Sequence, residues 1–275
     1  MEFPKEIKLL IKKTGFKPQK RLGQNFLIDK KILKTIIDSA ELSIDDTVVE
    51  IGPGLGVLTK ELVKKVNKVI AIEKDPKLAE LLKDYFKKVK NLKIINEDAL
   101  KYLELSLPKQ FKIVANLPFY LATNLIKKFL QDKRISLIIL TVQKEVGERI
   151  CGIGKSRGFF SIFVEFYGEP ELIKIFSKKS FWPMPKVDAA IVKIKPRSIL
   201  PLKDPEPFFK FVKAGFSSRR KTLLNNLSEN LMIEKDNLKK IFDKLDIDFK
   251  TRAQEMTFKN WLGLFNYLRK YKFLT

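Results

Sequence analysis

The chain has 275 residues and a formal net charge of +23, from 55 basic and 32 acidic side chains, an imbalance that favours nucleic acid as a partner even after allowing for a lysine-rich surface. It has no His and one cysteine, Cys151, which excludes imidazole chemistry, His-ligated metals, Cys-rich zinc sites and disulfides within the chain. No apolar run is long enough for a membrane span and residues 1–13 lack a signal-peptide core, so a cytoplasmic protein free of membranes is expected.

Residues 1–21 are mostly basic and read either as a frayed helix or as an arm that orders on nucleic acid. From 47 to about 196, β-rich runs alternate with helical periods. Candidate strands lie at 47–51, 68–72, 92–96, 112–115, 136–142, 172–176 and 189–194, with helix-like stretches at 58–66 and 76–89. This alternation predicts an α/β fold, a mostly parallel, Rossmann-like sheet covered on both faces. No helix separates 172–176 from 189–194, so these two are expected to pair as an antiparallel edge. Residues 159–167, between Gly158 and Gly168, read as a helix covering the sheet. Four prolines between 195 and 207 mark a linker. Beyond it, 208–216, 220–230, 236–245 and 257–271 read as amphipathic helices, with Asp236 as an N-cap. The expected domains are 1–196, carrying the basic arm 1–21, and a small all-helical domain at 201–275. Both are basic, so a polyanion is expected to touch both.

Residues 48–56 read Val-Val-Glu-Ile-Gly-Pro-Gly-Leu-Gly, a strand entering a glycine turn. Glycines there let the backbone approach a ligand closely. A dinucleotide fingerprint would place glycine or alanine at 57, where this chain has Val57. The tighter spacing of Gly52, Gly54 and Gly56 after Glu50 suits S-adenosylmethionine, which has no pyrophosphate to cradle. Glu73 ends the next strand, where a carboxylate can bind ribose hydroxyls, and Asp98 follows the third, where an acceptor can meet an adenine amino group. Any one of them alone reads as a helix cap; three in register argue for a nucleoside-type cofactor.

Asn116-Leu117-Pro118-Phe119 follows the fourth strand, expected beside the first and so beside the methyl donor. An exocyclic amine conjugated to a ring is a poor nucleophile. The Asn116 amide oxygen and a backbone carbonyl of Leu117 or Pro118 can accept both its hydrogens and free its lone pair. Phe119 or Tyr120 can stack on a flipped base. The sulfonium is already an activated leaving group, so positioning supplies most of the rate and no His is required. Phe181 reads equally as a closing face for the base or as core.

In this order, Lys20-Arg-Leu-Gly-Gln-Asn-Phe-Leu-Ile-Asp29, Val49-Glu-Ile-Gly-Pro-Gly-Leu-Gly56, Asn116-Leu-Pro-Phe-Tyr120, Val142-Gln-Lys-Glu145, Pro183-Met-Pro-Lys-Val-Asp188 and Phe216-Ser-Ser-Arg-Arg-Lys-Thr-Leu223 resemble the KsgA-type family of ribosomal small-subunit RNA adenine dimethyltransferases. The resemblance spans about residues 20–227. It implies that Asn25 and Leu27 bind the methionine end of S-adenosylmethionine, Gly52 lines the turn, Glu73 holds the ribose and Asp98 the adenine. Asn116 would meet both cofactor and target amine, with Leu117, Pro118 and Phe119 completing the catalytic segment. The implied reaction moves two methyls to N6 of each of two adjacent adenosines near the 3′ end of 16S rRNA, releasing S-adenosylhomocysteine without a metal. The implied partner is that RNA within the 30S subunit or its precursor, met by a monomer. Many members have Tyr where this chain has Phe119, which keeps stacking but removes a hydroxyl.

Lys155 and Arg157 on a glycine-rich turn, and Arg219, Arg220 and Lys221 opening a helix, are the candidate RNA contacts. Each alone reads as a solvated cation, and Arg219 and Arg220 read equally as braces at the domain junction. A related 23S rRNA methylase would share the catalytic segments, but 183–188 and 216–223 favour the small-subunit enzyme. Intact Glu73, Asp98 and Asn116 argue against a non-catalytic RNA-binding relative. A cytosine C5-methylase needs Pro-Cys, and Cys151 follows Ile150.

Overall fold

The computed structural model describes residues 11, 15–19, 23–102, 107–117, 122–154 and 157–271. They form two compact units, one from residues 1–147 and 169–196, the other from 148–168 and 197–275. In chain order the first unit contains β1 (Phe26–Leu27), α1 (Lys30–Ser39), β2 (Thr47–Ile51), α2 (Val57–Leu62), β3 (Lys68–Glu73), α3 (Pro76–Tyr85), β4 (Leu92–Asn96), α4 (Ala99–Tyr102), β5 (Phe111–Asn116), α5 (Ala122–Gln131) and β6 (Ile135–Gln143). After α6 (Lys144–Ile150) leads out of it, the chain returns with β7 (Gly168–Phe176), β8 (Phe181–Trp182) and β9 (Ala189–Pro196).

Seven strands make one sheet in the order β4-β3-β2-β5-β6-β9-β7. The run from β4 to β6 is parallel, while β9 returns antiparallel to β6, with Ile138 opposite Ile194. β7 lies outside β9 at the edge. Burial on both faces explains the near-continuous apolar strands: Val48, Val49, Ile113, Val114, Ile138 and Ile139 are all fully buried. On one face, Ile32, Ile36 and Ile37 of α1 and Leu58 and Leu62 of α2 pack against Val48, Val69, Val114 and Ile139. Asp29 starts α1 by accepting from the amide of Lys31, and Asp75 starts α3 ahead of Pro76 by accepting from Lys77.

The expected strands match within a residue or two, except that β7 begins at Gly168, four positions before 172. Helices α2 and α3 stop short of 66 and 89, at Leu62 and Tyr85. The two-residue ladder of β1 with β8, Phe26 opposite Trp182 and Leu27 opposite Phe181, has no counterpart in the sequence reading.

The second unit contains α7 (Phe159–Tyr167), α8 (Glu206–Gly215), α9 (Leu223–Leu231), α10 (Lys235–Lys244) and α11 (Phe258–Lys270). Its core is aromatic. Phe166 of α7 stacks on Phe208 at 5.6 Å between centroids, Phe208 meets Phe265 edge-on at 5.4 Å, and Phe211 meets Trp261 at 5.6 Å. α7 is the expected helix; the sequence reading lays it over the sheet, but its contacts here are with α8 and α11 of its own unit. The run Phe-Phe-Ser-Ile-Phe-Val-Glu-Phe-Tyr is apolar on nearly every side, so periodicity alone assigns it no partner. Residues 148–168 accordingly group with the helical unit, where the sequence reading placed them in 1–196. Asp236 is also not the cap of α10. Glu234 holds that position, and Asp236 sits in the first turn, where its acid favours the helix dipole and meets Lys239 at 2.9 Å.

Candidate active site

The carboxyl ends of β2, β3 and β5 and the coil around β1 open onto one cleft of about 1080 Å³, counting its mouth. Its lining includes Asn25, Leu27, Gly52, Glu73, Asp98, Asn116, Leu117 and Phe181. Residues spread over more than 150 positions are thus brought together, because each strand of the parallel sheet delivers its tip to the same edge.

The floor is the glycine turn. Gly52, Gly54 and Gly56 all take left-handed backbone, with φ of 67°, 58° and 75°. At Gly54 a Cβ would lie 2.8 Å from the Phe26 ring, so the turn and the β1 coil close on each other only with glycine there. Glu73 braces the turn from below: its carboxylate accepts from the amide of Gly54 at 3.1 Å and from that of Asp75 at 2.9 Å. Burial raises its pKa, opposed by those two bonds. Glu50, next along the floor, is 1% exposed and takes the Thr59 hydroxyl at 2.7 Å. Its burial pushes its pKa up to about 8, aided by the charge of Glu73. Asp98 lies at the rim. The Lys74 ammonium, 2.8 Å away, holds its carboxyl below the usual range, and its other oxygen accepts from Leu100 at 2.9 Å.

Asn116 ends β5, adjacent to β2 through pairs such as Val48 with Lys112. Its amide nitrogen donates to the carbonyl of Asn25 at 3.1 Å. That bond decides the orientation of the side chain: the nitrogen is spent on Asn25, and the oxygen is left as an acceptor with no protein partner among the described residues. An acceptor at this point is what an amine whose lone pair is delocalised into its ring requires. Leu117 follows, buried, its amide bonded to the carbonyl of Thr141 at 3.2 Å. Pro118, Phe119 and Tyr120 lie outside the described residues, as do Lys155 and most of residues 1–21.

Phe181 lines the cleft, but it is 3% exposed and stacks on Phe176 at 5.6 Å. Its ring thus belongs to the core that supports the cleft. In the second unit, Arg157 is committed to Glu165 at 2.6 Å, with both side chains largely covered. Arg219 donates to the carbonyl of Arg157 at 3.4 Å, Arg220 is exposed, and Lys221 pairs with Glu229 at 2.6 Å on the surface.

Three lining or bracing residues escape the sequence reading or enter it only in passing. Glu50 figures there only as the residue entering the turn. Asp75 is legible as a cap because it precedes Pro76, but its bond to Gln24, 51 positions away, leaves no local pattern. Gln24 sits inside a recognisable segment without a role.

The chain matches the family described as ribosomal RNA adenine dimethylase over residues 15–270. A ribosomal RNA small subunit methyltransferase A of Dehalococcoides mccartyi is 39% identical over 249 residues, covering 88% of this chain and 86% of that protein. Among solved structures, a dimethyladenosine transferase from Plasmodium falciparum is similar with a TM-score of 0.74 at 26% identity, covering 90% of this chain and 98% of that one. The 23S rRNA methyltransferase ErmE is similar in fold, with a TM-score of 0.76 at 24% identity, over 89% of this chain and 99% of its own.

Proposed function

The chain belongs to the ribosomal RNA adenine dimethylase family, and from that premise we propose that it transfers methyl groups from S-adenosylmethionine to N6 of two adjacent adenosines in the 3′-terminal hairpin of 16S rRNA. The product is N6,N6-dimethyladenosine. The observation that carries this reading is the single cleft shared by the glycine turn, Glu73, Asp98 and Asn116. The residues fit the donor: the left-handed turn at Gly52 and Gly54 lines the cleft with backbone, Glu73 and Asp98 offer acceptors for ribose and adenine, and Asn25 and Leu27 line the same cleft. When bound, S-adenosylmethionine supplies a methyl group on a sulfonium leaving group.

The chain's own part is positioning. Asn116, its nitrogen held by Asn25, directs its oxygen to one amino hydrogen of the adenosine. The carbonyl of Leu117 or Pro118 takes the other, so the amine lone pair points out of the ring plane. Phe119 or Tyr120 stacks on the extruded base. The work is done by geometry, and effective-molarity effects of several orders of magnitude are available from it.

The small-subunit substrate is preferred because the Dehalococcoides mccartyi relative, 39% identical, is named for it, whereas the likeness to the 23S enzyme is one of fold. The enzyme is read as a cytoplasmic monomer acting on 30S particles or their precursors. No helix among the described residues is long and apolar enough to cross a membrane. The test is to incubate the protein with labelled S-adenosylmethionine and 30S particles lacking the modification, beside the Asn116→Ala variant. Label is expected in N6,N6-dimethyladenosine of 16S rRNA and is expected to be lost in the variant. Label confined to large-subunit RNA would transfer the reading to the 23S reaction.

A further inference from the structure

Between Gly23 and Asn25 the chain has no helix or ladder to hold it, yet Asn25 has to sit where its carbonyl receives Asn116 and where its own position faces the cofactor cleft. On its C-terminal side the coil is fixed by the short β1–β8 ladder and by the Phe26 ring against Gly54. Its N-terminal side is fixed by one acidic side chain. Gln24 Nε2 donates to Asp75 Oδ2 at 2.8 Å, Gln19 Nε2 donates to the same oxygen at 3.2 Å, and the Gln19 amide donates to Gln24 Oε1 at 2.8 Å. Asp75 is 2% exposed, and its second oxygen caps α3 through the amide of Lys77 at 3.0 Å. Its own amide donates to Glu73, the carboxylate that braces the glycine turn.

We propose that Asp75 is a positioning residue of the methyl-transfer site, clamping Gln24 so that Asn25 is held for both the cofactor and Asn116. The inference rests on the cofactor reading given above. The Asp75 carboxylate ties the helix that follows β3 to the coil that precedes β1, and its backbone amide joins both, through Glu73, to the turn that follows β2. Loss of the clamp frees Asn25, and with it the bond that turns the Asn116 oxygen toward the amine. Both cofactor affinity and turnover then suffer. A cap-only role would affect stability alone.

Three variants separate these roles. Asp75→Asn keeps an oxygen for the cap but turns an NH2 donor toward the donors of Gln24 and Gln19. Asp75→Ser keeps the cap, since serine is as good there as aspartate, but has no second oxygen for Gln24. Gln24→Ala removes the clamp and leaves Asp75 and its cap untouched. Calorimetric affinity for S-adenosylhomocysteine, the melting temperature, and the KM and kcat for methylation of 30S particles are measured for each. The Ser and Ala variants are expected to bind S-adenosylhomocysteine about tenfold more weakly and to lose kcat as well, with near-wild-type melting, as befits a lost bond to a charged acceptor. The Asn variant, whose NH2 faces the two glutamine donors, is expected to lose affinity and kcat as the Ser variant does. Wild-type affinity and turnover in Gln24→Ala would overturn the clamp, however Asp75→Ser behaves. A wild-type protein that binds neither S-adenosylmethionine nor its product would instead overturn the cofactor reading, and the clamp with it.

Discussion

Glu50 shows what a single buried carboxyl does to this site. It is sealed under the glycine turn, and the groups that oppose its burial, the hydroxyl and the backbone amide of Thr59, are both neutral. No cation among the described residues offsets its burial, and Glu73 nearby adds repulsion, so its pKa rises to about 8. The consequence for stability has a definite sign. In the unfolded chain the group loses its proton near the ordinary glutamate value, while in the folded protein it keeps it until about pH 8. Between those values the folded state holds the extra proton, so stability present below the unfolded pKa is lost as pH rises toward 8. Glu50→Gln removes this dependence and retains an acceptor for Thr59. Melting curves of the two proteins are expected to lie close together at pH 5, with the Gln variant gaining on the parent by up to a few kcal/mol, roughly, at pH 8. Parallel curves across that range would mean that Glu50 is already ionised in the fold. Glu73, raised in the same direction and coupled to Glu50, remains in both proteins.

Among the elements, the ones most readable in the sequence are those whose period survives burial. Strands β2 to β6 are short β-branched runs bounded by turn residues, and α8 to α11 each show one apolar face, so residues alone place them to within a turn. α7 is different, because Phe159, Phe160, Phe163 and Phe166 leave no polar face to say which neighbour it meets. The β1–β8 ladder is two residues long, too short to have a period at all. The site divides the same way. Glu73 and Asn116 are legible because each ends a strand, and Asp98 because it follows one by two residues, whereas the Asp75–Gln24 bond joins two coils and is visible only in space. The packing of α8 on α11 can be tested directly. Gly215 ends α8 against Trp261 of α11, and a Cβ added there would overlap the indole ring and approach Leu223 to 2.9 Å. Trp261 is fully buried and already wedged between Phe211 and Phe216, so the ring has nowhere to go. Gly215→Ala is expected to cost about 1–3 kcal/mol by overpacking, against up to about 1 kcal/mol that alanine would otherwise contribute in a helix interior. Thermal unfolding measures it, and an unchanged or raised melting temperature would show that the indole yields.

At the scale of the whole molecule the dominant quantity is charge. A protein at +23 is drawn to any polyanion, so a bare affinity for RNA says little about which cations touch it. The salt dependence says more, since each phosphate neutralised releases counterions and adds about 0.7 to 0.9 to the slope of log K against log salt. The candidate contacts of the second unit differ in exposure. Arg157 is enclosed and bonded to Glu165, so it has no charge to spare for a phosphate. Arg219, Arg220 and Lys221 form one exposed run just ahead of α9, whose cap Thr222 follows directly. Asn226, fully buried, holds the backbone of that run in place by donating to the carbonyls of Gly215 at 2.7 Å and Ser218 at 2.9 Å. A basic run on a fixed backbone loses little entropy on meeting a phosphate chain. Neutralising all three is therefore expected to weaken binding of the 3′-terminal hairpin of 16S rRNA and to reduce the salt slope by about two to three units. Arg157→Met is expected to do the reverse, lowering the melting temperature by stranding Glu165 in a half-buried site while leaving the slope alone. Anisotropy titrations at several salt concentrations distinguish the two outcomes. A slope that responds to Arg157 and ignores the exposed run would place the RNA path elsewhere on the molecule, because the enclosed arginine would then have to leave Glu165 whenever RNA binds.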